Sequence, residues 1–224
     1  PFGKVGGNFH CNNNNLSSLE GSPNMVGGNF ICHNNILTSL LHCPTYVGSS
    51  FNCSSNELTS LEYSPKEIIG NFFCIQNKLT SLEGGPINVG GSFKCAVNRL
   101  TSLKGCPAKV GGSFNCFNNR LTSLEHSPKK VSGDFICSRN QLTSLLYSPS
   151  EVGGDFSGSF NILTSLEGAP IKVGDYFNCT QCHLPDPIDI LFRNHNILTT
   201  EEQLIFLKYQ AYYDVWMPEF NEEG

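Results

Sequence analysis

Along most of this chain the apolar positions recur with a fixed beat. Phe9, Phe30, Phe51, Phe72, Phe93, Phe114, Phe135, Phe156 and Phe177 are each 21 residues apart. Two residues after each Phe stands a Cys, from Cys11 to Cys137 and again at Cys179, with Gly158 as the exception. Three further on comes an Asn, from Asn14 to Asn161, replaced in the last copy by Cys182. A Leu follows two later, from Leu16 to Leu184, with a second Leu three beyond it as far as Leu166. Each full copy closes on a proline, Pro23 to Pro170.

Phe-x-Cys reads as a short strand with both side chains on one face and its neighbours on the other. One coil cannot bury such a face by itself. Coils stacked at roughly 4.8 Å turn each column into a ladder of Phe, Cys and Leu, the solenoid solution to burial. At the exit of the strand, the Asn amide offers donors and an acceptor to the backbone of the next coil. Gly27-Gly28 and their equivalents, with the prolines, are expected to supply the bends.

Phe-x-Cys-x-x-Asn-x-Leu-x-x-Leu resembles the leucine-rich repeat, whose pattern also accepts Cys for Asn, as at Cys182. Leu37-Thr38-Ser39-Leu40 before Pro44 is similar to the short repeats of bacterial effector proteins. The Val-Gly-Gly spacer and the stretch Leu79 to Pro86 resemble repeat proteins of large bacteriophages and giant viruses. The resemblance covers about residues 4 to 184 and implies protein binding. The expected fold is a leucine-rich-repeat-like solenoid over residues 1–184, about nine 21-residue coils with one short parallel β-strand each. A small helical cap is expected over 185–224.

A fixed short period makes the 224 residues one elongated body rather than two ordinary domains. Nine coils give a length of roughly 40 Å. Charged residues are 15% of the chain and the net charge is −5, which argues against a general role in coating nucleic acid. Eleven cysteines could suggest a disulfide framework, yet eight of them share the inward column. Parallel side chains in a ladder are poorly set for disulfide geometry, so they read as small buried apolar groups, and a reducing, cytoplasmic setting (a host cytoplasm or a virion included) is expected. No transmembrane run or signal peptide stands out. Pro1-Phe2-Gly3-Lys4-Val5 reads like the tail of an earlier repeat, so the natural protein is expected to extend N-terminally or to meet another chain there.

Asp186-Pro187 before Ile188 reads as an N-cap with a first-turn proline, and Thr199 with Glu202 as a capping box. Of two apolar stripes, at Leu204, Leu207, Ala211 and Val215 and at Ile205, Tyr209, Tyr212 and Trp216, one would cover the last coil and the other would pack on the short helix or meet a partner.

Cys179-Thr180-Gln181-Cys182-His183 has the spacing of covalent haem attachment. Its two cysteines fall in the Cys and Asn columns, however, so the repeat accounts for them and neither cofactor nor metal is expected. His10, His33, His42 and His126 lack a repeated nucleophile or carboxylate partner, and no catalytic residue is expected. The resemblance to effectors does not bring a ubiquitin-ligase activity, because no cysteine follows Cys182.

Where the copies disagree, the chain serves as its own alignment. The position between Phe and Cys reads His10, Ile31, Asn52, Phe73, Lys94, Asn115, Ile136, Ser157, Asn178, and the next outward position includes Ile75, Ala96 and Phe117. A solvated face has no need of these apolar residues, although folded surfaces carry scattered ones. Lys78, Arg99 and Arg120 share a column beside them, with Arg139 close by, either as a cationic line or as charges solvated beside Glu62, Glu83 and Glu125. The candidate binding face is therefore Ile31, Phe73, Ile75, Lys94, Arg99, Asn115, Phe117, Arg120 and Ile136. The expected function is a non-enzymatic scaffold for a protein partner, with the turn carrying Tyr63, His126 and Tyr147 as the alternative site. A structural protein that self-associates end to end is the rival.

Overall fold

The computed structural model describes residues 3–184, which wind into nine stacked coils with no helix among them. The helical cap expected over 185–224 lies outside the described residues. Each coil contributes two strands of two residues, β1 (Lys4–Val5) and β2 (Phe9–His10) in the first through β17 (Lys172–Val173) and β18 (Phe177–Asn178) in the last. The nine even-numbered strands form one parallel sheet in strict register, Phe opposite Phe. Their rings stack inside it with centroids 5.0–5.7 Å apart. Both Leu columns join them in the core, which runs unbroken from Leu19 to Leu184.

The expectation of one strand per coil is corrected by the odd-numbered strands, which form a second ladder built on the inward Val column. The Gly pair after that Val lies in a bend, as expected, and has a second task besides. A Cβ on Gly27 would lie 2.2 Å from the carbonyl oxygen of Gly6, and one on Gly48 2.2 Å from that of Gly27. Without a side chain the backbones close up, and the amide of Gly27 donates to Val5 O at 2.8 Å.

Two coils lack that glycine, at Ile69 and Ser132, and the second ladder breaks at both. It divides into three three-stranded sheets, with gaps between β5 (Tyr46–Val47) and β7 (Glu67–Ile68) and between β11 (Lys109–Val110) and β13 (Lys130–Val131). The chain also bends at two further places in each coil. Left-handed backbone recurs two residues after each inward Cys or Gly158, from Asn13 to Gln181, and again in the β-turn after the second Leu, at His42, Tyr63, Gly84 and their equivalents. In that turn the hydroxyl of Ser39 accepts the amide of Leu41, which accounts for the Ser of Leu-Thr-Ser-Leu.

The Asn column behaves as expected. Asn77 Nδ2 donates to the carbonyls of Cys53, Cys74 and Ile75 at 3.1–3.3 Å, and its Oδ1 accepts the amide of Leu58 at 3.0 Å. A second polar column lies at the corner between the ladders. There Asn8, Asn29, Ser50, Asn71, Ser92, Ser113, Asp134 and Asp155 each accept the backbone amide of the residue 21 further on.

Candidate functional site

Alternation along two-residue strands sends the residue after each Phe to the outer face of the nine-stranded sheet. Parallel register then sets Phe73, Lys94, Asn115 and Ile136 side by side on four successive coils. All four are half-buried, because each shields its neighbour's flank while its tip remains in solvent. Ile75 and Phe117 stand two residues along, also half-buried, with the methyl of Ala96 covered between them. Ile31 is on the same face but apart, with Asn52 between it and Phe73.

Asn115 is committed locally. Its Oδ1 accepts the amide of Phe117 at 2.9 Å, as Asn52 does for Ser54 and Asn178 for Thr180. It therefore sets the course of the chain into Phe117 and leaves its amide nitrogen toward solvent.

The cationic border is narrower than the sequence pattern gives. Lys78 is ion-paired with Glu57 of the preceding coil, whereas Arg99 and Arg120 are exposed and, among the described residues, form no ion pair. Glu83 pairs with Lys104 on another side of the coil. Lys94 Nζ lies 5.5 Å from the centre of the Phe73 ring. The guanidinium of Arg139 lies 4.8 Å from the Phe160 ring and 5.9 Å from that of Phe117. Such cation–π contacts hold long side chains in place and lower the ordering cost of a later contact.

Phe160 was not among the residues expected here, and Arg139 was expected only close by the cationic line, not on the binding face. Both occupy the left-handed column, which reads Asn13, Asn34, Ser55, Gln76, Val97, Asn118, Arg139, Phe160, Gln181. A positive φ favours Asn, so a bulky or β-branched residue there is the signal that could have found them. The alternative turn at Tyr63, His126 and Tyr147 is exposed, with φ of 70° at each.

Beneath the face lie the column thiols. Burial pushes Cys74, Cys95, Cys116 and Cys137 up from the ordinary thiol range, Cys116 to about 12, and keeps them protonated at neutral pH. In the haem-like stretch both Cys179 and Cys182 are inside the stack, and Cys182 Sγ donates to Gly158 O.

The period, the ladders and the Asn column together decide the architecture. The fold is that of a leucine-rich-repeat solenoid. YopM from Yersinia enterocolitica WA-314 is similar in structure, with a TM-score of 0.64 and 21% identity over 80% of this chain, which spans 43% of that one. A second solved structure, YopM described as a leucine-rich effector protein from Yersinia pestis, aligns with a TM-score of 0.39 and 15% identity over 78% of this chain and 66% of that one. No family model matches the chain, and no curated protein does.

Proposed function

We infer that this solenoid is a non-enzymatic scaffold that grips a partner protein with the outer face of its nine-stranded sheet. The observation that carries this reading is the continuous line Phe73, Lys94, Asn115, Ile136, flanked by Ile75 and Phe117 and bordered by Arg99, Arg120 and Arg139. Aromatic anchors with arginine at the edge are the composition of a protein interface, and the face is too open to enclose a small molecule. The partner we infer is a host-cell protein, on the resemblance of the Val-Gly-Gly spacer to viral repeat proteins and of the short repeats to bacterial effectors. A reducing compartment is supported by eleven free cysteines, nine of them buried.

The test is affinity capture from host extract with the parent, Phe73→Ala, Phe117→Ala and Tyr63→Ala. Loss of the same partner from both Phe variants, at unchanged melting temperature, supports the sheet face. Each truncation is expected to weaken binding by about 1–3 kcal/mol. Loss from Tyr63→Ala alone moves the site to the turn.

A further inference from the structure

We propose that the trough between Ile69 and Ser132, on the outer side of the second ladder, is a separate docking surface for an extended acidic segment of a protein partner. It measures about 630 Å³ and spans coils four to seven. Its shape follows from the glycine column. Gly90 and Gly111 leave the floor without side chains, while Ile69, 62% exposed, stands up as a wall at one end and the ladder breaks at Ser132 at the other.

The charge is uneven along the trough. At the coil-four end Glu67 accepts a hydrogen bond from Asn88 Nδ2 at 2.9 Å beside the apolar Ile69. Lys109, Lys129 and Lys130 gather at the other end. Glu151 takes up Lys130 at 2.6 Å, and Lys66 turns away to the Gly84 carbonyl. Among the described residues Lys109 and Lys129 form no ion pair, so two exposed ammonium groups stay uncompensated in a chain of net charge −5.

Within the unbroken stretches of the second ladder the residue in the glycine position donates to the Val or Ile column of the preceding coil, as Gly111 does to Val89 O and Gly153 to Val131 O. At the second gap the amides of Ser132 and Lys129 and the carbonyls of Val110 and Ala108 have no such bond among the described residues. Two uncompensated ammonium groups suit carboxylates, and Ile69 with the bare floor at Gly90 and Gly111 suits an aliphatic side chain and a close-lying backbone. A peptide offers both, whereas a nucleic acid backbone offers the anion alone.

The test is titration of the isotope-labelled protein with a short peptide of Asp, Glu and Leu, followed by amide NMR. A Lys-for-acid analogue and a short single-stranded oligonucleotide serve as comparisons. The expected result is shifts at the amides of Gly90, Gly111 and Ser132, unchanged in Phe73→Ala and weakened about tenfold in the Lys109→Gln, Lys129→Gln double variant. Absence of these shifts at millimolar peptide, or equal binding of the basic analogue, overturns the proposal. Tighter binding of the oligonucleotide at the same amides overturns the peptide as occupant. Since Phe73 and Phe117 are not involved, failure here leaves the sheet-face reading standing, and the reverse holds.

Discussion

The Cβ that Gly111 lacks would stand 2.0 Å from the carbonyl oxygen of Gly90. No real side chain tolerates that approach to backbone, so Gly111→Ala must push coil six from coil five. A cost of about 1–3 kcal/mol is expected from such overpacking. Denaturant unfolding measures it, and hydrogen exchange at residue 111 should accelerate as its bond to Val89 O is lost.

The converse change is Ile69→Gly. Removing that side chain lets the amide of residue 69 reach Val47 O, as its counterparts reach theirs, and its exchange should slow. Stability should change little, since the gain of a hydrogen bond is offset by the entropy of a new glycine. Unaltered exchange at residue 69 would mean that the gap has another cause.

Val97 holds φ at 56° in a column where Asn is frequent. A β-branched residue is strained there, and its side chain is 38% exposed, so little burial is lost on replacement. Val97→Asn should raise stability by about 1 kcal/mol in thermal or urea unfolding. Phe160→Asn removes a similar strain but also the ring that supports Arg139, and should weaken partner capture while leaving the fold intact.

Asn77→Ala deprives the buried amide of Leu58 of its acceptor and takes one of two donors from each of three carbonyls, those of Cys53, Cys74 and Ile75, which keep Asn56, Asn98 and the Ser55 amide. A loss of about 3 kcal/mol is expected. Asn14 in the first coil is exposed and donates to Cys11 O and Asn12 O, so Asn14→Ala should cost less than about 1 kcal/mol. Equal losses in urea denaturation would refute the ladder's account of burial.

Burial raises the thiol of Cys11 to about 11 and those of Cys43 and Cys116 to about 12. In the unfolded chain thiols ionise from about pH 8.5. Above that pH the unfolded state therefore binds fewer protons than the folded state, and stability falls as pH rises. The thiols' contribution is complete below about pH 8.5 and is lost steadily up to the folded values, at up to about 1.4 kcal/mol per pH unit for each of the buried Cys43 and Cys116 and less for the part-exposed Cys11. The urea midpoint should decline from about pH 9 upward, and Cys116→Ala should make the decline shallower. Identical slopes for the two proteins would contradict this.

The first ladder was legible because Phe, Cys, Asn and Leu each keep one chemistry in one column, and a chain that repeats nine times exposes every departure. The second ladder was not, because Val26-Gly27-Gly28 looks the same whether glycine is needed for a turn or for close approach. The pair does both, lying in a bend, and only the oxygen of Gly6 beneath Gly27 reveals the close approach. On the candidate face, Phe73, Lys94, Asn115 and Ile136 followed from alternation alone. Phe160 and the placing of Arg139 against its ring did not, since a left-handed residue ends the alternation, and the pairing of Lys78 with Glu57 depends on how two side chains settle.

The Asn column joins residues 19 and 24 apart, as at Leu58 to Asn77 and Asn77 to Cys53, and the corner column joins residues 21 apart. The loop closed when a coil is added is therefore the same length at the second coil as at the eighth, and closure entropy depends on that length alone. Lengthening the molecule by whole coils adds no topological penalty. Folding can spread from any seeded pair of coils, and gain or loss of a 21-residue segment changes its length without re-threading the chain.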